Sequence, residues 1–499
     1  MLDRPPAQRA DATVRSALRS PRLLVAELLA GLVVALALIP EAISFSLIAG
    51  VDPRVGLFAS FTMAVAISIT GGRPAMISAA TGAMALVVVD LVRDHGVEYL
   101  LAATILAGLI QVGLGMAGIA RVMRFVPSSV MTGFVNALAI LIFLAQLPYL
   151  VDVPLAVYGL LAAGLAIIYG FPLLTRAVPS PLVAIVVLTA VCATAGITVP
   201  TVGDQGALPD ALPVLGLPNV PISLDLLLVI LPYSVTLAAV GLLESLLTAR
   251  LVDDITETDS DGDRESRGQG IANVVTGLFG GMAGCAMIGQ TMINVKVSGA
   301  RTRISTFAAG TLLLVLVLAL ADLVAIIPMG ALVAVMVLVS VSTFDWHSIS
   351  PRTLRRMPRG ETAVMVVTVA ATVATHNLAI GVGAGVITAM VVFARRVAHL
   401  VDVTSVLAPD GSTRVYSVTG ELFFASDREL ITAFDYAGDP ARVIIDFSRA
   451  HVWDTSAVAA IDAIEQKYAA HGVEVEVTGL NERSEALREA HSGLAGAAH

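Results

Sequence analysis

The sequence predicts a polytopic α-helical membrane protein with fourteen transmembrane segments, followed by a small α/β domain. Hydrophobic residues make up 57% of the 499-residue chain and charged residues only 14%, which is typical of membrane proteins. Two long apolar runs, from Leu23 and from Leu226, each contain a proline and end near an acid, Glu41 or Glu244. A carboxylate at membrane depth indicates a functional site, and the matching positions indicate an internally repeated transporter with its site between the repeats.

The composition argues against several classes of protein. The net charge is −9 and the basic residues are scattered, so we predict no nucleic-acid partner. Cys192 and Cys285 stand apart in apolar segments, and neither a disulfide framework nor a metal cluster follows from them. The histidines lack metal-ligand spacing and no nucleophile–base pair stands out, so we expect no metal, no cofactor and no enzyme activity.

The first half of the chain begins with a polar N-terminal segment, residues 1–22. No small-residue cleavage site follows it, so the next apolar run is predicted to be a retained span and not a signal peptide. The first repeat, residues 23–199, is predicted to hold spans at 23–48, 55–71, 75–92, 97–119, 126–147, 152–170 and 180–199.

The second half begins with a predicted extracellular loop, residues 200–224, and continues with the second repeat, residues 225–399. Its spans are predicted at 225–249, 268–281, 285–299, 304–325, 327–344, 362–376 and 378–394. The third span of each set, 75–92 or 285–299, is shorter than the ~20 residues of a full crossing. Both are rich in small residues, and we expect each to contain a half-helix that begins at mid-membrane.

The distribution of basic residues tests this topology. With a cytoplasmic N-terminus, 21 basic residues lie on the inside, and only Arg54 and Arg93 lie on the outside. Cytoplasmic loops carry an excess of lysine and arginine, so both the number of spans and the orientation are favoured. Arginine outnumbers lysine 28 to 2, as in GC-rich bacterial genomes, and we expect a multi-pass protein of the bacterial inner membrane in contact with its lipid.

The C-terminal residues 400–499 alternate like a cytoplasmic α/β domain. Pro409-Asp410-Gly411 predicts a hairpin turn, and Ser426 to Glu429 predicts a capping box that opens a helix. The sequence further predicts strands over 443–447 and 473–477, and helices over 455–470 and 481–491.

Four groups of residues resemble the sulfate permease family of anion transporters, which includes relatives of mammalian pendrin and prestin. The motifs are Pro40 to Phe45 in the first span, Arg124 to Pro127 with Gly133 and Gln146 around the fifth, Gly268 to Asn273 in the ninth, and Asn294 with Gly299 to Thr302 around the tenth. The C-terminal domain resembles the STAS domain of that family.

The resemblance implies two inverted seven-span repeats that form a core domain (spans 1–4 and 8–11) and a gate domain (spans 5–7 and 12–14). It implies transport by elevator-type alternating access, with a small anion bound between the third and tenth spans. Family members commonly form dimers, so a homodimer is expected.

Two departures from the family pattern concern the site. Gln290 stands where many members have an arginine, which removes the obvious intramembrane cation, and Glu41 stands where many have glutamine. The third span also has Ala80-Thr81 where a Gly-Pro is common. The loss of the arginine disfavours sulfate and leaves bicarbonate and carboxylates, including dicarboxylates, as better candidates, with chloride and nitrate also open.

The candidate anion site follows from the two half-helices. Their free N–H groups near Thr81-Gly82 and near Gly289-Gln290 would face each other and bind an anion without a cationic side chain. The predicted substrate-binding residues are Glu41, Phe45, Ala80, Thr81, Gly82, Met287, Ile288, Gly289 and Gln290.

Coupling to protons is predicted for Glu244, with Glu41 as the second candidate. Bringing in one negative charge against the membrane potential costs about 2.3 kcal/mol for every 100 mV, which one co-transported proton cancels. Thr248 lies four residues after Glu244 on the same helix face. By resemblance, these two positions match a cation-coordinating pair of sodium-coupled bicarbonate carriers, so sodium coupling stays an alternative.

Other interpretations stay open. For both Glu41 and Glu244, the alternative is a purely structural role in which the side chain bridges two helices. A nucleobase permease shares the architecture but usually lacks the C-terminal domain, and a motor or regulatory protein would bind anions without transporting them. In the C-terminal domain, Ser456 matches the serine that is phosphorylated in stand-alone STAS proteins, although helix capping is the preferred interpretation of the motif.

Overall fold

The computed structural model describes residues 13–121, 126–175, 179–398 and 401–492. The chain divides into two compact units, Met1–Val386 and Ile387–His499. The predicted fold class is confirmed, because the first unit is built of apolar helices and the second is a small α/β domain with a mixed sheet. The border between the units falls inside the last apolar helix, Leu378–Ala398.

The first half of the larger unit forms eight described helices and one short strand. They are α1 (Val14–Arg19), α2 (Pro21–Ala49), α3 (Pro53–Thr70), β1 (Ser78–Ala80), α4 (Gly82–His95), α5 (Val97–Met116), α6 (Ser128–Leu144), α7 (Leu155–Gly170) and α8 (Ser180–Ala195). Prolines lie in the first turns of α2 and α3, where the missing N–H costs nothing. Gly50 ends α2 with a φ of 76°, which favours glycine.

The second half repeats this order of elements. It contains α9 (Leu224–Thr256), α10 (Gly262–Leu278), β2 (Gly284–Ala286), α11 (Ile288–Met292, continued by a π-helical turn over Ile293–Val297), α12 (Arg303–Ala319), α13 (Ala321–Ala325), α14 (Met329–Thr343), α15 (Pro351–Arg356), α16 (Arg359–Thr375) and α17 (Leu378–Ala398). The long proline-containing helix α9 corresponds to α2, and each strand is followed at once by a helix.

Seven helices in the described ranges are long and apolar enough to cross a membrane. They are α2, α3, α5, α9 and α17, together with α6 and α7 when the 3-10 turns that follow these two are included. Helices α8, α12 and α14 are apolar but shorter.

Several predicted limits are wrong. Spans 75–92 and 285–299 are not single segments, because each begins with a strand and becomes helical only at Gly82 or Ile288. The ninth span begins at Gly262 and not at residue 268, since the Asp261 side chain accepts from Arg264 N and caps the helix there. The eighth span continues to Thr256, seven residues past the predicted end at 249.

The helices of the larger unit pack in two groups. One group contains α2–α5 and α9–α12, in which α10 packs on α5 and α12 packs on α2 and α3. The other group contains α6–α8, α14 and α16, in which α16 packs on α6 and α14 packs on α7. The elements of the first group match the predicted core domain, and those of the second match the predicted gate domain apart from its last span, α17.

The smaller unit is a four-stranded sheet with three described helices. Its elements are β3 (Asp402–Leu407), β4 (Thr413–Leu422), α18 (Asp427–Thr432), β5 (Arg442–Val452), α19 (Thr455–Ala470), β6 (Glu474–Thr478) and α20 (Glu482–His491). The strand order is β3-β4-β5-β6, with β3 antiparallel to β4 and the other pairs parallel. Alternate residues of β5, among them Val443, Ile445 and Phe447, form the core under α19.

Two local predictions for this unit have opposite outcomes. The hairpin turn is confirmed, since the Asp410 carboxylate accepts from Ser412 N and Gly411 takes a φ of 71°. The capping box is wrong, because Ser426 has helical backbone angles and makes no side-chain cap. Its hydroxyl accepts instead from Phe423 N at 3.0 Å.

Candidate functional site

Two three-residue strands meet in antiparallel pairing inside the larger unit. Ala79 lies opposite Cys285 and Ala80 opposite Gly284, so small side chains occupy the whole contact. A Cβ on Gly284 would lie 2.4 Å from the Ala79 carbonyl oxygen, and this close approach explains the glycine. The strands bring the starts of α4 and α11 together.

The strands leave backbone groups that need partners, because buried N–H groups are costly without a hydrogen bond. Side chains of three neighbouring helices accept these protons: Ser60 from Ala80 N (3.4 Å), Asn273 from Gly284 N (2.8 Å) and Ser245 from Ala286 N (3.0 Å). Polar side chains from other helices therefore make irregular backbone possible in the buried interior of the larger unit.

The motif Gly268 to Asn273 holds both strands from α10. Gln269 Nε2 donates to Ser78 Oγ of β1 at 2.6 Å, and Asn273 Nδ2 donates to the Gly284 carbonyl of β2 at 3.0 Å. Gly270 lets α10 approach α5 closely, since a Cβ there would lie 2.5 Å from the carbonyl oxygen of Gly108. This sequence motif therefore fixes the geometry of the site without lining it.

A cavity of about 120 Å³ lies where the two helices begin. Eight residues predicted for the site line this cavity: Glu41, Phe45, Thr81, Gly82, Glu244, Met287, Ile288 and Gly289. The remaining lining residues come from α6 and α14, namely Phe134, Val135, Leu138, Ile142, Val339, Ser342 and Thr343. The cavity therefore lies between the two groups of helices.

Three residues predicted for the site are absent from the lining. Ala80 is engaged in strand pairing, and Gln290 lies behind Glu41. Thr248 lies one helical turn after Glu244, and its hydroxyl donates to the Glu244 main-chain carbonyl at 2.8 Å.

The two carboxyl groups of the cavity have different partners. Glu41 Oε1 accepts from Gln290 Nε2 at 2.7 Å, and Gln290 Oε1 is buried without a hydrogen-bond partner. Glu244, only 6% exposed, accepts from the Cys285 thiol at 2.9 Å through Oε2. Thr81 Oγ1 lies 3.2 Å from the same sulfur.

The charges of the cavity are unusual for an anion site. Its described lining contains two carboxyl groups and no lysine, arginine or histidine. Positive potential there comes from the helix N-termini, where the first N–H groups of α4 and α11 have no partner within the helix. Helix α4 is capped by Thr81, whose hydroxyl accepts from Met84 N at 3.4 Å.

The sequence did not identify a second buried polar cluster next to β1. Glu265 is fully buried and accepts from Gly72 N at 2.7 Å and from Arg73 N at 2.9 Å. The Arg73 guanidinium pairs with Asp253 at 2.9 Å. Glu265 fell in a predicted loop, and its partners lie about 190 residues away in sequence, so local patterns gave no signal.

The remaining candidate position, Ser456, lies in the smaller unit as the second residue of α19. Asp454 caps this helix and accepts from Ala457 N at 3.0 Å, so Ser456 is not the cap. Phosphorylation of Ser456 stays a prediction. Within the described ranges, no three histidine, cysteine, aspartate or glutamate side chains are grouped as metal ligands.

Comparison with known proteins gives consistent results for both units. The family model "Sulfate permease family" matches residues 24–161 and 157–368, and the STAS domain model matches residues 406–492. The putative sulfate transporter YbaR of Bacillus subtilis is 56% identical over 461 residues, which are 92% of this chain and 95% of that protein.

Two solved structures resemble the fold. The transmembrane domain of a cyanobacterium bicarbonate transporter, BicA, matches with a TM-score of 0.64 and 26% identity, covering 74% of this chain and 97% of that one. The overall structure of SLC26A9 matches with a TM-score of 0.78 and 16% identity, covering 100% and 94%. At that identity the second likeness concerns the fold alone.

Proposed function

The chain belongs to the sulfate permease family of anion transporters, and we propose that it is a secondary active symporter of a small anion and protons. It is a multi-pass membrane transporter with a STAS domain and not an enzyme. The observation that carries the proposal is the cavity in which two helix N-termini meet two carboxyl groups.

The charges of the cavity support proton coupling. The helix N-termini attract an anion, whereas ionised Glu41 and Glu244 would repel it across a space of about 120 Å³. Anion binding therefore favours the neutral carboxyl groups, which means that protons enter the site with the anion. We assign the transported proton to Glu244 first and to Glu41 second.

The packing of the helices supports elevator-type movement. The anion-facing helix ends belong to the core group, whereas Phe134, Leu138 and Ile142 on α6 belong to the gate group. The gate side of the cavity is mostly apolar, so the core can slide past it without breaking a network of hydrogen bonds. In this scheme the core carries the anion and the protonated carboxyls across together.

The substrate class we propose is bicarbonate or a small carboxylate, including dicarboxylates, with sulfate as the third choice. Gln290 supplies an amide where an arginine would supply a full charge, and its Nε2 is already occupied by Glu41. A small, strongly hydrated dianion such as sulfate would lose more on leaving water than such a site returns. Some relatives are named as sulfate transporters and others as bicarbonate transporters, so the uptake experiment includes both anions.

Sodium-coupled bicarbonate transport is the second candidate. The likeness to BicA favours it, and a cation at Glu244 would replace the proton. The Thr248 hydroxyl donates to the Glu244 main-chain carbonyl, and this bond is compatible with either coupling ion. Replacement of sodium by choline in the uptake buffer separates the two.

We further propose that the N-terminus and the STAS domain are cytoplasmic in a bacterial inner membrane, as the arginine distribution indicates. We also expect a homodimer. Reaction of single cysteines introduced at Arg54 or Arg396 with an impermeant reagent in intact cells checks the orientation. Labelling is expected at the first position and not at the second.

The test of coupling uses purified full-length protein in proteoliposomes. Labelled bicarbonate, succinate and sulfate are offered with an imposed inward pH gradient, and with sodium or choline outside. The Glu244→Gln variant is expected to lose acceleration by the gradient while it still exchanges anion. Unchanged gradient-driven uptake by this variant would remove Glu244 from the mechanism.

Glu27→Gln is the matched control. Glu27 is 6% exposed like Glu244 and lies on α2, the counterpart of α9. Its carboxylate accepts from Arg301 N at 2.8 Å and lies outside the cavity lining. This variant is expected to keep the response to the pH gradient, so loss of that response in both variants would indicate damage to the fold.

A further inference from the structure

Cys285 joins the two sides of the site from behind the cavity wall. It is fully buried on β2, and its sulfur lies 2.9 Å from Glu244 Oε2 and 3.2 Å from Thr81 Oγ1. Glu244 and Thr81 both line the cavity, whereas Cys285 is not among the lining residues. The thiol is therefore a hydrogen-bonded link between the acid and the helix cap.

The hydrogen atoms of this link can be counted when Glu244 is ionised. A carboxylate only accepts, so the single thiol proton goes to Glu244. The sulfur then accepts the single hydroxyl proton of Thr81. Thr81 Oγ1 also accepts from Met84 N, so it presents no proton to the cavity in this state.

When Glu244 is protonated, the hydrogen bonds of this link can run in the opposite direction. The new carboxyl O–H donates to the sulfur, the S–H turns to Thr81 Oγ1, and the Thr81 hydroxyl proton turns into the cavity. Only rotations about the C–S and C–O bonds are needed. Apart from the O–H bond that forms on Glu244, no covalent bond forms or breaks. Thr81 keeps its bond from Met84 N throughout, since a hydroxyl accepts twice and donates once.

We propose that Cys285 is a positioning residue that makes the Thr81 hydroxyl a donor to the anion only when Glu244 holds a proton. The proposal rests on the proposed function, because it takes Glu244 as the proton-binding group. It adds a reason why a proton and an anion bind together, beyond the removal of a repelling charge.

The surroundings of Cys285 leave Glu244 as the titratable group that controls it. A Cβ placed on Gly241 of α9 would meet Met84 of α4, Gln111 of α5 and the Cβ of Cys285, so the residues that meet at this point are neutral. The other acid of the cavity lining, Glu41, accepts from Gln290 and not from the thiol. Cys285 is thus in hydrogen-bond contact with one acid and one hydroxyl.

The direct test is infrared spectroscopy of the thiol stretch in the full-length protein, without any anion. Cys192 is the other cysteine of the chain, so Cys192→Ala leaves Cys285 as the single S–H group. At alkaline pH the band is expected at low frequency, because a carboxylate is a strong acceptor. On acidification it is expected to move to higher frequency, as the S–H turns to a hydroxyl.

Two further variants make this test specific. Addition of Glu244→Gln is expected to abolish the movement of the band with pH, and Thr81→Val is expected to alter its acidic position. A band that keeps its frequency at all pH values, or that moves equally in the Glu244→Gln variant, would overturn the proposal. Because no anion is added, this result is independent of whether the proposed transport function is correct.

Anion binding gives the second readout, with sulfate and bicarbonate as the probes. Cys285→Ala removes the acceptor that holds the Thr81 proton at alkaline pH, so it is expected to strengthen alkaline binding about three- to tenfold, the effect of one hydrogen bond, and to leave acidic binding nearly unchanged. Cys285→Ser keeps one donor and two acceptors and is expected to retain the pH dependence. Equal losses at both pH values, or no rescue by serine, would indicate a packing role and would contradict the proposal.

Discussion

Replacement of Asn273 by leucine tests how the strands position the site. The amide of Asn273 makes three bonds: it accepts from Gly284 N at 2.8 Å and donates to the Gly284 carbonyl at 3.0 Å and to Gln111 Oε1 at 2.9 Å. All of these groups are buried, so the leucine, which has a similar shape, leaves polar groups of Gly284 and Gln111 without partners.

The expected cost follows from these three bonds. A buried polar group left without a partner costs about 1–3 kcal/mol, so the three groups together predict a loss of roughly 3–9 kcal/mol in the free energy of unfolding. The assay is reversible denaturation of the full chain in detergent micelles, followed by uptake in proteoliposomes. Uptake is expected to fall as well, because β2 places the start of α11 at the cavity.

Thr276→Val on the same helix is the matched control. Thr276 is buried and bonds Thr62 Oγ1 at 2.8 Å, away from the strands, so this variant is expected to lose only about 1 kcal/mol. If Asn273→Leu were no less stable than Thr276→Val, the strands would not depend on Asn273 and the reasoning would be refuted.

Two further predictions concern other parts of the chain. Gly270→Ala is expected to destabilise the protein by about 1–3 kcal/mol, because the new methyl group meets the backbone of α5. Gly159→Ala is the control: its methyl group meets open space, so this variant is expected to be as stable as the parent protein. Thermal unfolding of the two variants measures the difference. Burial and the hydrogen bond to Asp439 raise the pKa of Tyr468 above that of a free tyrosine. Neutral Tyr468 therefore contributes stability to the C-terminal domain that is fully present below the pKa of the unfolded state and is lost as the pH rises through the pKa of the folded state. Tyr468→Phe is expected to make the alkaline decline shallower in a denaturation series, and part of the decline remains because burial also raises the pKa of Tyr436.

Much of the fold is predictable from the sequence because membrane helices have strong, local signals. Length and hydropathy locate the spans, and helix α19 matches its predicted limits, residues 455–470, without error. The half-helices are also predictable, since short segments rich in small residues cannot cross the membrane. Their observed starts at Gly82 and Ile288 lie within one residue of the predicted positions.

The rest depends on contacts between residues that are distant in sequence. Three-residue strands such as β1 and β2 show no period, so neither their pairing nor the role of Cys285 follows from local patterns. From the sequence alone, Glu265 is expected in a solvated loop between two spans. Its burial depends on the N–H groups of Gly72 and Arg73, which are distant in sequence. The capping box at Ser426 fails for a local reason instead, because the Ser426 hydroxyl accepts from Phe423 N in the preceding turn.

The central claim is that an anion binds between the starts of α4 and α11, beside Glu41 and Glu244. Anomalous scattering from selenate or bromide in crystals of the full-length protein locates a bound anion directly. We predict a peak within hydrogen-bond distance of the main-chain N–H groups that follow Thr81 and Met287, and weaker occupancy at alkaline pH. A peak confined to another part of the protein, in crystals where the anion stabilises the protein, would contradict the claim.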